Sequence, residues 1–221
     1  MKKLLFSLAL VAGLGFAANA QNSPIKIGVK AGVAFPNLSI SPNEEGDLKA
    51  NTSFYIGGLV DVSLGNIFSL QPGLTLIGKG TKMKESETDG ADSYTSTIKR
   101  NLMYLEIPVN LVANFETGAG KVFVGAGPYY GMAISGKDKY SYEATIDGKK
   151  ESESESEDVE FGNDGDVKRG DFGINFLGGY QLKNGFNIHA GYGLGLGNIA
   201  QDSDNVKVKN KVFSVGVGFT F

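Results

Sequence analysis

Ionisable side chains inside apolar segments are the first places where this sequence could carry chemistry. Glu106 lies within NLMYLEIPVNLVANF (101–115), and His189, the single histidine of the chain, lies in another largely apolar segment. A carboxylate or an imidazole in such surroundings suits general acid–base catalysis. The acidic run ESESESED (151–158), followed by NDGD (163–166), offers the oxygen ligands that Ca²⁺ and Mg²⁺ prefer.

The catalytic and cofactor-binding interpretations lack the partner residues that they need. A serine hydrolase needs a serine nucleophile within hydrogen-bond reach of its histidine. On the same strand face as His189, two positions later, the sequence has Gly191 and not a serine, and it has no Gly-x-Ser-x-Gly motif. The glycines of GYGLGLGN (191–198) have the spacing of a nucleotide-binding loop, yet no helix is predicted after them. We therefore predict that the protein is not an enzyme and holds no cofactor.

The acidic run is predicted to be a solvated surface loop. Blocks of like charge usually remain disordered, and residues 151–166 lack the fixed ligand spacing of a dedicated Ca²⁺ loop. We predict no metal site, and binding of divalent cations by this loop stays an open alternative.

The segments that hold these residues alternate between apolar and small or polar side chains with a period of two, which predicts β-strands. The clearest case is the C-terminal segment KVFSVGVGFTF (211–221). The segments have roughly eleven to fourteen residues, enough for a tilted strand to cross a bilayer. The eight predicted strands begin and end near 25–35, 52–64, 67–78, 102–115, 121–134, 172–182, 186–197 and 211–221.

The connections between these strands alternate strictly between short and long. Short turns at one end and long loops at the other, with an even number of strands, are typical of outer-membrane barrels. The sequence therefore predicts an all-β protein, an eight-stranded antiparallel up-and-down transmembrane β-barrel with short periplasmic turns and long extracellular loops. The short turns are 65–66, 116–120 and 183–185, and the long loops are 36–51, 79–100, 135–169 and 199–210.

Alternation alone also fits a soluble barrel with an apolar interior, so the composition of the two faces decides between them. The less apolar face is mostly Gly, Ser, Thr and Asn, which suits the narrow interior of an eight-stranded barrel better than a solvated surface. Aromatic residues near the strand ends suit the girdles of a membrane barrel. These are Phe54, Phe68, Phe115, Phe172, Tyr180, Phe186, Phe213 and Phe221.

The N-terminus predicts export. Residues 1–20 combine two lysines, a short apolar run and an Ala-x-Ala site, so a signal peptide is expected to be cleaved before Gln21 and to leave residues 21–221 as one barrel domain. Removal of Lys2 and Lys3 leaves 19 basic against 24 acidic residues, a net charge of −5. This balance argues against nucleic acid as a partner. The predicted location is the outer membrane of a Gram-negative-type bacterium.

Four motifs resemble the PorT-like outer-membrane β-barrel family. They are IGVKAGVAFPNLS (27–39), YLEIPVNL (104–111), VGAGPYYGMAISG (124–136) and the closing VGVGFTF. The resemblance covers nearly the whole mature chain and implies an eight-stranded outer-membrane barrel, most members of which have no assigned activity. Phe219 and Phe221 also resemble the C-terminal aromatic signal read by the barrel-assembly machinery.

Placed on the barrel, the charged strand residues and the histidine are predicted to face the lumen. We interpret them as a structural network that plugs a narrow barrel, because unpaired charges there are costly. Glu106 is expected to pair with Lys30 or, as second choice, Lys26, and Pro108 to mark a bulge or a local break in pairing. The predicted network comprises Lys26, Lys30, Asp61, Glu106, Lys121 and His189.

These inferences predict a monomeric, non-enzymatic protein with a structural or surface-interaction role. Its expected partners are outer-membrane lipid, the barrel-assembly machinery during biogenesis and an unidentified envelope protein. Two alternatives remain open: a narrow pore for small solutes or ions, and an adaptor within an envelope or protein-secretion machine.

Overall fold

The computed structural model describes residues 24–42, 48–90, 92–162, 165, 167–201 and 206–221. The predicted signal peptide, residues 1–20, lies outside the described residues. No helix in the described part of the chain is long and apolar enough to cross a bilayer. The described strands are β1 (Ile25–Ser41), β2 (Leu48–Lys49), β3 (Ser53–Ser63), β4 (Phe68–Asp89), β5 (Asp92–Thr117), β6 (Gly120–Ile146), β7 (Lys149–Asp158), β8 (Gly170–Leu182), β9 (Phe186–Gly195) and β10 (Lys207–Thr220).

Eight of these strands close into a ring, as the sequence predicts. Each pairs antiparallel with its neighbours in the order β1–β3–β4–β5–β6–β8–β9–β10, and β10 returns to β1. Closure gives every strand of the ring two hydrogen-bonded neighbours and leaves no edge along the barrel wall, which a lipid environment requires. The two remaining strands lie outside the ring, where β2 pairs with β4 and β7 pairs with β6.

The prediction of long loops at 79–100 and 135–169 is wrong for most of their length. Strands β4 and β5 continue to a turn at Gly90, and β6 continues to Ile146 and turns back into β7. The β6–β7 turn has Asp147 at φ 50° and Gly148 at φ 75°, the left-handed pair that a tight hairpin turn requires. The acidic run 151–158 is therefore part of a strand, because its backbone hydrogen-bonds to β6.

The two faces of the barrel wall have the predicted character. On β5, Ile107, Val109 and Leu111 point outward and are 38–52% exposed, whereas Tyr104 and Asn110 point inward and are buried. Seven of the eight predicted girdle aromatics have exposed side chains, and Tyr180 is half-buried. The outward apolar side chains form a continuous band around the barrel, called the apolar band below.

Pro108 coincides with a local break in pairing, which confirms that prediction. The β4–β5 ladder is interrupted between the pairs Pro72–Val109 and Thr75–Glu106, and the β5–β6 ladder is interrupted after the pair Pro108–Tyr129. A proline has no N–H to donate to a ladder, so a closed sheet can hold it only where pairing lapses. The bulge in the β5–β6 ladder lies elsewhere, at Ile134 on β6, which is the extra residue between the pairs Met103–Ser135 and Tyr104–Ala133.

Candidate functional site: lumen and projecting sheet

A buried ion-pair layer crosses the middle of the lumen. Lys79 on β4 contacts Glu106 on β5 at 3.0 Å and Asp171 on β8 at 2.9 Å. Its ammonium group also lies 4.2 Å from the centre of the Tyr129 ring. All three charged side chains are nearly inaccessible to solvent. A single lysine thus holds two carboxylates from different strands, and its removal would leave both buried and unpaired.

Neutral side chains complete the hydrogen bonding of this layer. Asn175 donates to Glu106 Oε1 at 2.9 Å, while Asn210 and the Tyr129 hydroxyl donate to Asp171 Oδ2 at 3.0 and 3.2 Å. Charge-assisted hydrogen bonds of this kind are stronger than neutral ones. The layer therefore joins strands β4, β5, β6, β8 and β10 across the lumen.

The predicted partner of Glu106 was wrong. The ion pair is made by Lys79 on the neighbouring strand β4 and not by Lys30 or Lys26. Lys79 was not considered because the sequence analysis places residues 79–100 in a loop. Asp171 was missed because it lies one residue before the predicted strand 172–182, whereas β8 begins at Gly170. Both continue the inward alternation by one step, Lys79 after Ile77 and Asp171 before Gly173. Following the period of two past the predicted strand ends would have revealed them.

Lys30 and His189 lie below this layer and line the same cavity. Lys30 interacts electrostatically with Glu106 but has no ion pair or hydrogen bond with any described residue. His189 Nδ1 is 2.8 Å from Asn187 Oδ1, and Nε2 is 2.7 Å from the Tyr55 hydroxyl. Since Oδ1 only accepts, Nδ1 carries the hydrogen and Nε2 accepts from Tyr55. Both ring nitrogens are thus occupied, and no described serine contacts them.

The other predicted network residues lie near the short-turn end. Lys26 on β1 is directly opposite Asp61 on β3, and Lys121 interacts electrostatically with both. Asp61 is only 7% exposed, and its Oδ1 has no hydrogen-bond partner in the described part of the protein. The six predicted residues therefore lie in two groups, with Glu106, Lys30 and His189 around the cavity and Lys26, Asp61 and Lys121 at the short-turn end.

The lumen holds a cavity of about 110 Å³ between the ion-pair layer and the short-turn end. Its wall runs from Lys79 and Glu106 to Asn114, Gln181 and Thr220. Thr75 and Asn110 line it with buried side-chain oxygens that have no hydrogen-bond partner among the described residues. A space of this size and polarity accommodates several water molecules.

The outer half of the lumen is filled by packed side chains. Leu102 and Tyr104 on β5 are at most 1% exposed and belong to an apolar cluster with Val159, Val167 and Ile199. The last three belong to the described parts of the β7–β8 and β9–β10 connections and lie in the barrel mouth. Val159 donates a backbone hydrogen bond to Gly136, and Ile199 donates one to Val208. Apolar packing therefore closes the barrel above the ion-pair layer.

Beyond the apolar band, four strands continue as a projecting sheet, formed by residues 81–89, 92–101, 137–146 and 149–158. Direct pairing sets which side chains share a face: Glu85, Ser96, Tyr142 and Glu153 form one row across β4, β5, β6 and β7. This row continues the inward parity of Lys79 and Glu106, so it faces the barrel axis.

The axis-facing side of the projecting sheet, called the acidic face, combines carboxylates with exposed aromatic rings. Tyr140 and Tyr142 are 40% and 46% exposed. At the base of the face, Arg100 and Asp138 form an ion pair at 2.6 Å. Toward its tip the carboxylates have no ion-pair partner among the described residues. The acidic face comprises Glu85, Glu87, Asp138, Glu151, Glu153, Glu155, Glu157, Tyr94, Tyr140 and Tyr142.

This arrangement differs from a metal site and suits a larger cationic ligand. No group of three or more metal-binding side chains is positioned around a common point in the part of the chain that the structure describes. In a strand, alternate residues recur about every 6.6 Å, so the glutamates form an extended row. Tyrosine rings between carboxylates can bind ammonium or guanidinium groups by cation–π contact.

The predicted assembly-signal residues form one aromatic patch at the C-terminus. Phe219 and Phe221 are 37% and 42% exposed and point outward. Their ring centres are 5.1 Å apart in an edge-to-face arrangement. Phe221 also donates a backbone hydrogen bond to Ile27 at 2.8 Å, which ties the end of the chain to β1.

Comparison with known proteins identifies the domain type. The family model of the outer membrane protein beta-barrel domain matches residues 19–201. No curated protein sequence matches the chain. Similar solved structures include the attachment invasion locus protein Ail of Yersinia pestis, with 15% identity, a TM-score of 0.40 and coverage of 89% of this chain and 98% of Ail. OprG from Pseudomonas aeruginosa has 14% identity, a TM-score of 0.44 and coverage of 89% and 95%. Neisserial surface protein A has 14% identity, a TM-score of 0.39 and coverage of 90% and 98%.

Proposed function

Because the chain belongs to the outer membrane protein beta-barrel domain family and lies in the outer membrane, we propose that it is a non-enzymatic surface-interaction protein. In this proposal the acidic face binds a cationic polypeptide outside the cell, and the barrel anchors the sheet without conducting. We also propose that the chain belongs to the PorT-like subtype of this family, which the motif YLEIPVNL (104–111) resembles. The observation that carries it is the projecting sheet, which extends well beyond the length that the membrane requires.

Charge and aromatic content support a cationic partner. Glu151, Glu153, Glu155 and Glu157 are all exposed and occupy alternate positions along β7. Tyr140 and Tyr142 lie opposite Glu155 and Glu153 on the neighbouring strand. A lysine- or arginine-rich segment can therefore pair with carboxylates and stack on rings at the same time.

Two features support a structural role for the lumen. The ion-pair layer around Lys79 links strands across the barrel, and packed apolar side chains fill the outer half. Glu106, Lys30, His189, Lys26, Asp61 and Lys121 would then brace the barrel and not conduct ions. The occupied ring nitrogens of His189 likewise support the absence of an esterase.

A peptide-binding measurement tests the proposal. The full barrel in lipid nanodiscs would be titrated with a fluorescent peptide of six alternating Lys–Thr pairs, and affinity read from anisotropy. The E151Q/E153Q/E155Q/E157Q variant is expected to bind at least about tenfold more weakly, because each charge pair at an exposed site contributes a few tenths of a kcal/mol or more. The wild-type protein should bind more weakly as salt rises.

The matched control changes the other side of the same strand. Ser152, Ser154 and Ser156 face away from the glutamates, so S152T/S154T/S156T keeps the strand and should keep the affinity. Absence of binding by the wild-type protein, or equal binding by the glutamine variant, would overturn the cationic-partner proposal.

An adaptor within an envelope machine remains a second form of the same function, since an acidic face outside the barrel suits a protein partner as well as a free peptide. Purification from native membranes in mild detergent distinguishes the two. A partner lost on the glutamine substitutions would identify the adaptor.

A further inference from the structure

Strand β7 leaves one edge of the projecting sheet open. In the described part of the chain its strand neighbour is β6, with which it pairs from Lys149 to Asp158. All the residues of β7 are exposed. The other edge of the sheet, β4, is partly covered by β2, which pairs with Lys82 and Met83. Strand β7 is therefore an open edge along its whole length.

Two observations show which backbone groups of β7 point to this open edge. The β6–β7 turn consists of Asp147-Gly148, so the flanking pair Ile146–Lys149 is hydrogen-bonded. At the other end of the strand, Val159 donates a backbone hydrogen bond to Gly136. Hydrogen-bonded and non-hydrogen-bonded pairs alternate along an antiparallel ladder. The odd-numbered residues of β7 therefore bond to β6, and the even-numbered residues turn their N–H and C=O groups to the open edge.

The open backbone groups in the middle of β7 belong to Ser152, Ser154 and Ser156. In the described part of the chain these groups have no hydrogen-bond partner. Each serine offers one N–H donor and one C=O acceptor. A row of unpaired donors and acceptors along a strand edge is a template for an added strand.

The glutamates that alternate with these serines set the charge pattern of an added strand. Glu151, Glu153, Glu155 and Glu157 occupy the non-hydrogen-bonded positions toward the open edge. At such positions the side chains of directly opposite residues come closest, and opposite charges stabilise the pair. A strand with lysine or arginine at every second residue therefore places a cation opposite each glutamate. Its intervening residues lie opposite the serines, where threonine suits a strand.

A second copy of β7 does not fit the open edge. Antiparallel pairing of two β7 strands that keeps their faces aligned sets glutamates opposite glutamates, and like charges directly opposite destabilise a sheet. An apolar strand would leave the glutamates without cationic partners. The charge pattern of the edge therefore selects a cationic strand.

We propose that the cationic polypeptide binds as an added β-strand along β7, in an extended conformation with lysine or arginine at every second residue. This inference rests on the proposed function, because it states how the partner of the acidic face is held. Backbone hydrogen bonds to Ser152, Ser154 and Ser156 supply affinity, as in other cases of strand addition. The alternation of glutamate and serine fixes the register, because a shift by one residue moves every cation to the wrong face.

Two backbone-methylated forms of the alternating Lys–Thr peptide test the proposal. In an added strand the threonines lie opposite the serines, so their N–H groups point to β7, whereas the lysine N–H groups point away from it. Methylating the backbone nitrogen of each threonine should weaken binding to the full barrel in nanodiscs by at least about tenfold, because several hydrogen bonds are lost. Methylating each lysine backbone nitrogen instead keeps charge and methyl count equal, and this matched control should bind within about twofold of the unmodified peptide.

A proline in β7 tests the same edge from the side of the protein. The N–H of Ser154 points to the open edge, so S154P loses no hydrogen bond to β6. It should nevertheless weaken binding of the unmodified peptide about fivefold, because the edge loses a donor and gains a ring. S154A keeps the N–H and should bind like the wild type. Heat-modifiable gel mobility checks that both variants are folded.

The outcomes separate this inference from the proposed function. Equal affinity of the two methylated peptides, with tight binding of the unmodified one, would show a contact made by charge alone. That result would overturn strand addition and leave the cationic-partner proposal intact. Unchanged binding by S154P would also overturn strand addition. Failure of the unmodified peptide to bind the wild-type protein would overturn the proposed function and this inference together.

Discussion

At the scale of single residues, Lys79 has the largest predicted effect on stability. It forms ion pairs with both Glu106 and Asp171 in a layer where all three side chains are almost fully buried. K79M should lower the free energy of unfolding by about 3–5 kcal/mol, because it leaves two buried carboxylates without an ion-pair partner. E106A should cost less, since Lys79 then keeps Asp171. The measurement is the urea midpoint of the folded barrel in micelles.

The K79M/E106Q/D171N variant separates charge from packing. It removes all three charges while keeping similar volumes, so it should recover most of the stability lost in K79M. A K79M protein as stable as the wild type would show that the ion-pair layer contributes nothing to the barrel.

Also at the residue scale, Phe221 is predicted to serve assembly. Its exposed ring beside Phe219 and its backbone bond to Ile27 place it at the end of the final strand. Deleting Phe221 should lower the amount of folded barrel in the outer membrane, measured by gel mobility of unheated samples. Unchanged amounts of folded protein would show that Phe221, the outward residue after β10, is not needed for assembly.

At the scale of elements, Gly80 governs where β4 passes from the barrel wall into the projecting sheet. Its φ of 125° disfavours side chains, and a Cβ there would collide with the carbonyl oxygen of Arg100 on β5. G80A should therefore destabilise the barrel by about 1–3 kcal/mol. G58A is the control, because its new Cβ would meet nothing closer than 3.8 Å and should change stability by less than about 0.5 kcal/mol. Similar thermal unfolding of the two variants would contradict this role of Gly80.

At the scale of the whole molecule, the lumen of the barrel is closed on its outer side. The cavity of about 110 Å³ lies below the ion-pair layer, and packed side chains fill the lumen above it. We expect no steady conductance in planar bilayers, because an ion would have to cross both the salt bridges and the apolar cluster. A conducting porin in the same bilayer serves as the positive control. Stable, reproducible ohmic steps from the pure protein would favour the narrow-pore alternative instead.

The eight strands of the ring and the direction of each face were predictable from the sequence because they follow from local alternation, whereas β2 and β7 were not predicted. A period of two places alternate side chains on opposite faces of any strand, and a lumen too narrow for large side chains requires small ones inside. The outward exposure of Ile107 and the inward burial of Glu106 follow from this alternation alone. The projecting sheet was predictable in principle from Asp89-Gly90 and Asp147-Gly148, which are strong hairpin-turn signals.

Only the tertiary structure decided which residues meet. Alternation places Lys79, Glu106 and Asp171 on the inward face, but the register between strands and the curvature of the ring set them at one level. The acidic face likewise depends on pairings that join four strands. Closure of the outer mouth depends on Val159 and Ile199, which come from connections with no periodic pattern. Sequence by itself therefore determined the barrel and its two faces, whereas register and closure, which depend on contacts distant in the chain, decided the site.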